Sequence, residues 1–202
     1  MALPEAKYIE SMPKGFRIYR EDEERTHLYY LREGRVRLTR RQADGRDILR
    51  AMVFPGEIFG EESLFASGQH GDHAEVCKQA SYVQVPLEAV RQGLATDPTL
   101  TREFVDILGE GLVRMRDRQI NLLFEDARTR ILSFLREVVE DRGEAVGYEI
   151  LVRDFGYTHQ DIAHLVGTSR QTVTTVLNEL KEGNLIHLDR RNLLVRDLER
   201  LG

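Results

Sequence analysis

The sequence predicts an α+β fold: an all-β N-terminal domain, a long helix, and a small helical domain closing on a β-hairpin. Three observations predict it. Between Gly15 and Pro86, short alternating segments are separated by turn dipeptides. From Leu100 to Phe124, apolar residues recur at helical spacing. Beyond Thr158, two short amphipathic stretches flank Gly167 and lead into a hairpin pattern.

In the β-region, Phe16 to Arg20 and Arg35 to Thr39 alternate apolar and polar residues, the mark of a half-buried strand. Leu28 to Leu31 is apolar on both faces, and Ile48 to Phe54 and Ser81 to Val85 are further strand candidates. Glu33-Gly34, Asp44-Gly45, Pro55-Gly56 and Ser67-Gly68 read as turns. Asp44-Gly45 is the best two-residue hairpin turn, since both residues tolerate positive φ. Many short strands at regular spacing imply a sandwich or barrel.

Asp97-Pro98-Thr99 starts a helix, with proline tolerated in the first turn. Only Gly109 and Gly111 interrupt the helical pattern that follows. Val105, Leu108, Leu112, Met115 and Leu122 recur by threes and fours, with Gln119 in the remaining slot. Such a seam needs a partner, expected to be a second copy of the chain; the competing reading packs it on the chain's own β-domain. A second helix is expected from Arg128 to Arg142, burying Ile131, Leu132, Leu135, Val138 and Val139, with Glu125 to Ala127 as a hinge.

Thr158 and Asp161 form a variant capping box ahead of Ala163, Leu165 and Val166. Gly167 supplies a tight turn, and Ser169 caps a second helix that buries Val173, Val176, Leu177 and Leu180. Two short helices about a glycine turn are the layout of a helix-turn-helix, whose second helix presents its first residues to base edges in the major groove. Arg170 suits guanine and Gln171 suits adenine; Thr174 and Thr175 suit a thymine methyl or a phosphate. His159, Thr168 and Ser169 are placed for phosphate contact. Leu185 to Leu188 and Leu193 to Val195 form a wing hairpin, with Arg190 and Arg191 at its tip as further phosphate ligands. An ordinary corner of two helices with solvated polar residues would look similar without the wing and the long upstream helix.

The formal net charge is −5 over 202 residues. Duplex DNA as a partner therefore demands a local basic surface rather than a basic chain. A single cysteine, Cys77, excludes an intramolecular disulfide and any cluster built on several thiolates of one chain. No apolar run reaches the roughly 18 residues of a membrane span, and no secretory signal is visible, so the expected location is the cytoplasm.

These features together resemble the cyclic-AMP receptor protein/FNR family of bacterial regulators. The resemblance spans nearly the whole chain and is most specific at Gly56 to Phe65, similar to a cyclic-nucleotide phosphate cassette, and at Thr158 to Val173, similar to the family's recognition motif. It implies a jelly-roll-like β-roll over 1–97, a dimerisation helix and hinge over 98–127, and a winged helix-turn-helix over 128–202. It also implies a homodimer on a two-fold symmetric operator, RNA polymerase as a further partner, and an effector pocket at Gly60, Glu61, Glu62 and Ser63. Two departures matter. Where nucleotide-binding members place Arg-Ser or Arg-Thr, this chain has His70-Gly71-Asp72, and Asp72 should repel an anionic phosphate. The purine-contacting positions of the long helix correspond to Met115 and Arg116, with Gly111 a turn earlier. In the recognition helix, Gln171 and Thr175 replace the family's Glu and Arg. The expectation is a regulator that does not use cyclic AMP, with no cofactor assigned and any small-molecule effector unidentified.

The remaining signals are weaker. Cys77 reads as a small core residue rather than a redox sensor. His70 and His73, with Asp72 and Glu75 near, read as a solvated loop, or alternatively as a metal site in a β-barrel enzyme. Arg35, Arg37, Arg40 and Arg41 read as a solvated face. No nucleophile–base arrangement or Walker sequence stands out, so no catalytic residue is assigned. A cyclic-nucleotide-responsive regulator is the nearest competing function, ahead of the metalloenzyme.

Overall fold

The computed structural model describes residues 5–65, 68–189 and 191–197. It divides into two units, residues 1–111 and 112–202. The first holds β1 (Lys7–Met12), β2 (Arg17–Tyr19), β3 (His27–Arg41), β4 (Asp47–Val53), β5 (Ile58–Phe59), β6 (His73–Pro86) and α1 (Leu87–Thr96). Helix α2 (Pro98–Phe124) runs across the division. The second unit holds α3 (Ala127–Arg142), β7 (Gly143–Val146), β8 (Glu149–Val152), α4 (His159–Val166), α5 (Arg170–Glu182), β9 (Ile186–Leu188) and β10 (Leu193–Val195). Among the described residues no helix is long and apolar enough to cross a membrane.

Two long strands organise the first unit. β3 and β6 pair antiparallel from His27↔Pro86 to Thr39↔His73. The sheet runs β1-β6-β3-β4, with β2 added on β6 and β5 on β3. Leu31, Val36, Leu38, Phe59, Ala74 and Val76 fill its core, as the alternating pattern requires.

Glu33-Gly34 is not a turn. β3 continues through it, and the ladder shifts register on both sides. Gly34 has φ +89°, and a Cβ there would lie 2.1 Å from the carbonyl oxygen of Gln79 on β6. The glycine makes a bulge where two backbones touch, a use that the dipeptide alone does not separate from a turn. Asp44-Gly45 does sit in the β3–β4 hairpin, but the loop has three residues: the Gln42 N–H donates to the Arg46 carbonyl (2.8 Å) and the Gly45 N–H to the Gln42 carbonyl (2.9 Å). Only Gly45 takes positive φ, as a three-residue loop requires. Arg35 is not solvated; it is buried, with its guanidinium over the Phe54 ring at 5.3 Å. Cys77 is half-buried on β6, its thiol 3.5 Å from the Arg35 carbonyl oxygen.

Helix α1 lies outside the elements expected from sequence, although Pro86 at its start and the spacing of Leu87, Val90 and Leu94 were usable signals. Leu87, Ala89 and Val90 pack with Leu28, Val85 and Phe104, and Leu94 and Leu108 join them. One seam residue, Leu108, is thus partly covered by the chain's own first unit. Asp97 ends α1 and starts α2, its carboxylate accepting the N–H groups of Thr99 (2.9 Å) and Leu100 (3.2 Å).

In the second unit α3 begins on Asp126, whose carboxylate accepts the Thr129 N–H at 2.8 Å. It buries Ile131, Phe134, Leu135, Val138 and Val139 against Val152, Ile162, Val173, Leu177, Leu180 and Leu193. The expected wing is the β9–β10 pair, with Leu193↔Leu188 and Val195↔Ile186. It belongs to a larger sheet, β7-β8-β10-β9, whose first two strands were not foreseen.

Replacing Gly34 with Ala should destabilise the protein by about 2 kcal/mol or more, because the side chain meets backbone and the residue stays at positive φ. Chemical denaturation of the two proteins measures it; unchanged midpoints would count against the bulge.

Candidate nucleic-acid interface

Helix α4 starts on a complete capping box. The Thr158 hydroxyl accepts the Asp161 N–H (3.1 Å), and the Asp161 carboxylate accepts the Thr158 N–H (2.9 Å) and hydroxyl (2.8 Å). The helix ends at Gly167, which is left-handed (φ 64°), with the Thr168 N–H returning to the Ala163 carbonyl at 2.9 Å. A Cβ on Gly167 would also come within 2.8 Å of Leu122 Cδ2, a flexible side-chain end that can shift, so it is the left-handed φ that calls for glycine. Ser169 then caps α5, its hydroxyl accepting the Thr172 N–H at 3.0 Å.

One side chain braces this turn from outside. The Arg130 guanidinium donates to the carbonyls of Val166 (2.8 Å), Gly167 (3.1 Å) and Glu125 (2.5 Å). The first two are carbonyls at the end of α4, where the helix dipole favours a cation. The third is the linker between α2 and α3. Arg130 therefore ties that linker to the turn between α4 and α5. Nothing in the local sequence announced it; a lone arginine on an amphipathic helix reads as surface. Arg118 and Glu137 (2.6 Å) and Arg128 and Glu179 add ion pairs joining α2 to α3 and α3 to α5.

The recognition face of α5 follows from its period. Val173, Val176, Leu177 and Leu180 are buried, leaving Arg170, Gln171, Thr175 and Asn178 exposed on the other side. Asn178 was not singled out from sequence, although it continues the same face one turn past Thr174 and carries the amide suited to adenine. Thr174 is half-buried. Its hydroxyl donates to the Arg170 carbonyl (2.9 Å) and lies 2.8 Å from His159 Nδ1 on α4. Thr168 is half-buried and Ser169 exposed at the start of α5, where first-turn N–H groups lack partners within the helix. In the wing, Asp189 accepts the N–H groups of Arg191 (2.6 Å) and Asn192 (2.7 Å), shaping a turn on which Arg191 is exposed. Arg190 lies outside the described residues.

The cassette in the first unit has a different character. Gly60 is left-handed, and residues Glu61–Leu64 form a single 3-10 turn. Ser63 is buried with its hydroxyl unbonded. The expectation that Asp72 would stand as a bare repelling charge is incomplete. Asp72, 4% exposed, pairs with Arg50 of β4 at 2.6 Å, and Arg50 also reaches Glu62 at 3.2 Å. Arg25 approaches Glu62 as well, at 3.5 Å. Burial pushes the Glu61 carboxyl upward, and burial with the Asp72 charge raises the Tyr19 phenol.

The histidines here are not solvated either. His70 is buried and stacks on Tyr19 (3.8 Å between centroids), and burial lowers its basicity. His73 is buried too, its Nδ1 accepting the Glu21 N–H at 3.2 Å. Among the described residues no group of three or more His, Cys, Asp or Glu side chains converges as a metal site.

The model of the cyclic nucleotide-binding domain family matches residues 9–97, and that of the Crp-like helix-turn-helix domain matches residues 129–202. A "CRP-like cAMP-activated global transcriptional regulator" of Mycobacterium tuberculosis is 30% identical over 94% of this chain and 84% of its own length. The chain belongs to the CRP/FNR family of DNA-binding transcription regulators. A "Global nitrogen regulator" of Synechocystis is 28% identical over 94% of this chain and 84% of that protein. Among solved structures, FixK2 from Bradyrhizobium japonicum aligns with a TM-score of 0.82 at 25% identity, covering 97% of this chain and 95% of that one.

His159 supplies a test of the interface. Burial holds its imidazole below the ordinary range, and Lys181 and Arg170 add to the effect. If His159 meets a DNA phosphate, that charge acts in the opposite direction and complex formation takes up a proton. Affinity should then rise as pH falls through the imidazole range, by at most about one log unit per pH unit. Binding isotherms for the wild type and His159→Gln between about pH 5 and 8 separate this part of the slope, and equal slopes would remove His159 from the phosphate contacts.

Proposed function

We propose that the protein is a homodimeric regulator that binds a two-fold symmetric operator and acts without cyclic AMP. The observation that carries the DNA reading is the exposed face of α5, where Arg170, Gln171, Thr175 and Asn178 line up beside a capped, braced turn. Supporting the dimer, α2 leaves Val105, Leu112, Met115 and Leu122 exposed, with Leu112 at 68% and Met115 at 66%, and Gln119 exposed among them. A stripe of that size on one helix calls for a second helix like itself. Two recognition helices then enter successive major grooves about one helical turn apart. Residues 1–97 act as the sensor domain, 98–127 as dimer helix and hinge, and 128–202 as the DNA-binding domain. RNA polymerase is a further partner of the bound dimer.

The reading without cyclic AMP rests on Arg50. Its guanidinium is engaged by Asp72 and Glu62, so a cyclic phosphate would have to displace carboxylates already in place. The Mycobacterium tuberculosis relative is a cAMP-activated regulator, which motivates the direct test. Calorimetry of the purified full chain with cyclic AMP should give no binding heat; a saturable isotherm would replace this reading with the cyclic-nucleotide-responsive one.

Selection of bound sequences from random duplex DNA should return two inverted half-sites. On the selected site Arg170→Ala should cost about 1 to 3 kcal/mol and relax preference at one base pair. Equal losses on selected and random DNA would contradict base reading by Arg170.

A further inference from the structure

Thr174 stands on the recognition helix with two chemically different groups to offer, a hydroxyl and a methyl. The hydroxyl is already committed. Its proton goes to the Arg170 carbonyl one turn back, at 2.9 Å. One of its lone pairs faces His159 Nδ1 at 2.8 Å. With the hydroxyl proton on Arg170, the contact to His159 is satisfied only when Nδ1 carries the ring proton and donates it. The resulting chain, His159 to Thr174 to the Arg170 carbonyl, links the first residue of α4 to the first turn of α5 across the turn at Gly167.

A hydroxyl that bonds a base edge needs a proton to donate or an accessible lone pair. For Thr174, donating to a base edge would break the hydroxyl's bond to the Arg170 carbonyl, and its remaining lone pair can only accept, from an adenine or cytosine amino group. The γ-methyl carries no hydrogen bond and so loses none by meeting a base. A methyl discriminates among bases by one contact only, the C5-methyl of thymine in the major groove.

We propose that Thr174 reads a thymine through its methyl group, its hydroxyl proton being held by the Arg170 carbonyl and one lone pair by His159. This rests on α5 being the DNA-reading helix, and it makes Thr174 a specificity-determining residue of a defined kind. Arg170 and Gln171 read by hydrogen bonds; Thr174 reads by apolar contact. His159 is the positioning residue that keeps it so.

The test uses the full chain and a duplex selected by it from random sequences. Each thymine in a half-site is replaced singly by deoxyuridine, which removes the 5-methyl and leaves base pairing unchanged. Wild-type protein should lose roughly fourfold in affinity at one position, the value of one buried methyl group. Thr174→Ser keeps the hydroxyl and should lose the discrimination at that position. Thr174→Val keeps a methyl and should retain it; His159, half-exposed, then has water for a partner. Thr175→Ser is the control and should leave the sensitive position unchanged. Loss of the sensitive position in Thr175→Ser rather than in Thr174→Ser would assign the methyl contact to Thr175 and overturn the proposal. Insensitivity of the wild type at every thymine, or a half-site without thymine, overturns the proposal. So does discrimination that survives in Thr174→Ser and vanishes in Thr174→Val, the signature of a hydroxyl reader. Failure to select any sequence overturns the operator reading itself, a result distinct from these.

Discussion

Three carbonyl oxygens converge on the guanidinium of Arg130, and the placement of the recognition helix follows from that convergence. A helix-turn-helix needs its second helix held at a set angle to the first, yet the turn is only Gly167 and Thr168 before the Ser169 cap. The left-handed glycine sets the direction of the chain, and the end of α4 leaves carbonyls without partners inside the helix. Arg130 supplies the donors. Because the same group also holds the Glu125 carbonyl, the linker after α2 and the turn before α5 share one fixed point. A change in the linker that moves Glu125 must break or redirect a charge-assisted bond at the interface.

The first unit applies the same logic to charge. A pocket meant for an anion leaves an arginine with open donors. Here Arg50 is balanced by Asp72 and Glu62, and Arg25 leans on Glu62 as well. Tyr19 stacks on His70 above this group and beside Phe59, so the charges sit against an aromatic wall. Only the Asp72 carboxylate is deeply buried; Arg50 and Glu62 are partly exposed, so burial strengthens the Arg50–Asp72 pair while water screens the pairs made by Glu62. The fold of a cyclic nucleotide-binding domain is kept, with Arg50 paired to carboxylates of the same chain.

How much was legible beforehand depended on the distance between the residues involved. The capping box at Thr158 and Asp161, the turn at Gly167, the Ser169 cap and the buried stripe of α5 were all readable, because each involves residues within a few positions of one another. The same holds for the long period of α2 and the hairpin of the wing. Misreadings arose where one local pattern serves two structures. Glu33-Gly34 has the composition of a turn, but Gly34 is small because β6 passes against it. Arg35 looks like surface because arginine usually is, yet Phe54, which is 19 positions away, covers it. His70-Gly71-Asp72 looks like a solvated loop until Arg50 arrives from β4.

The sequence by itself determined the helical and strand periods, the ends of the helices from α2 onward, the order of the domains, and the identity of Arg170 and Gln171 as candidate base readers. These depend on backbone preferences and on side-chain spacing along one element. Only the tertiary structure decided that Arg130 braces the turn, that Arg50 pairs with Asp72, that Asn178 is exposed on the same side of α5 as Arg170 and Gln171, and that Thr174 has its hydroxyl engaged by His159. Apart from Asn178, whose exposure the fold of the second unit decides, and the bond from Arg130 to Glu125 five positions away, each joins groups 15 to 37 positions apart. A hydrogen bond depends on placement within a few tenths of an ångström, and no period along the chain specifies that across separate elements.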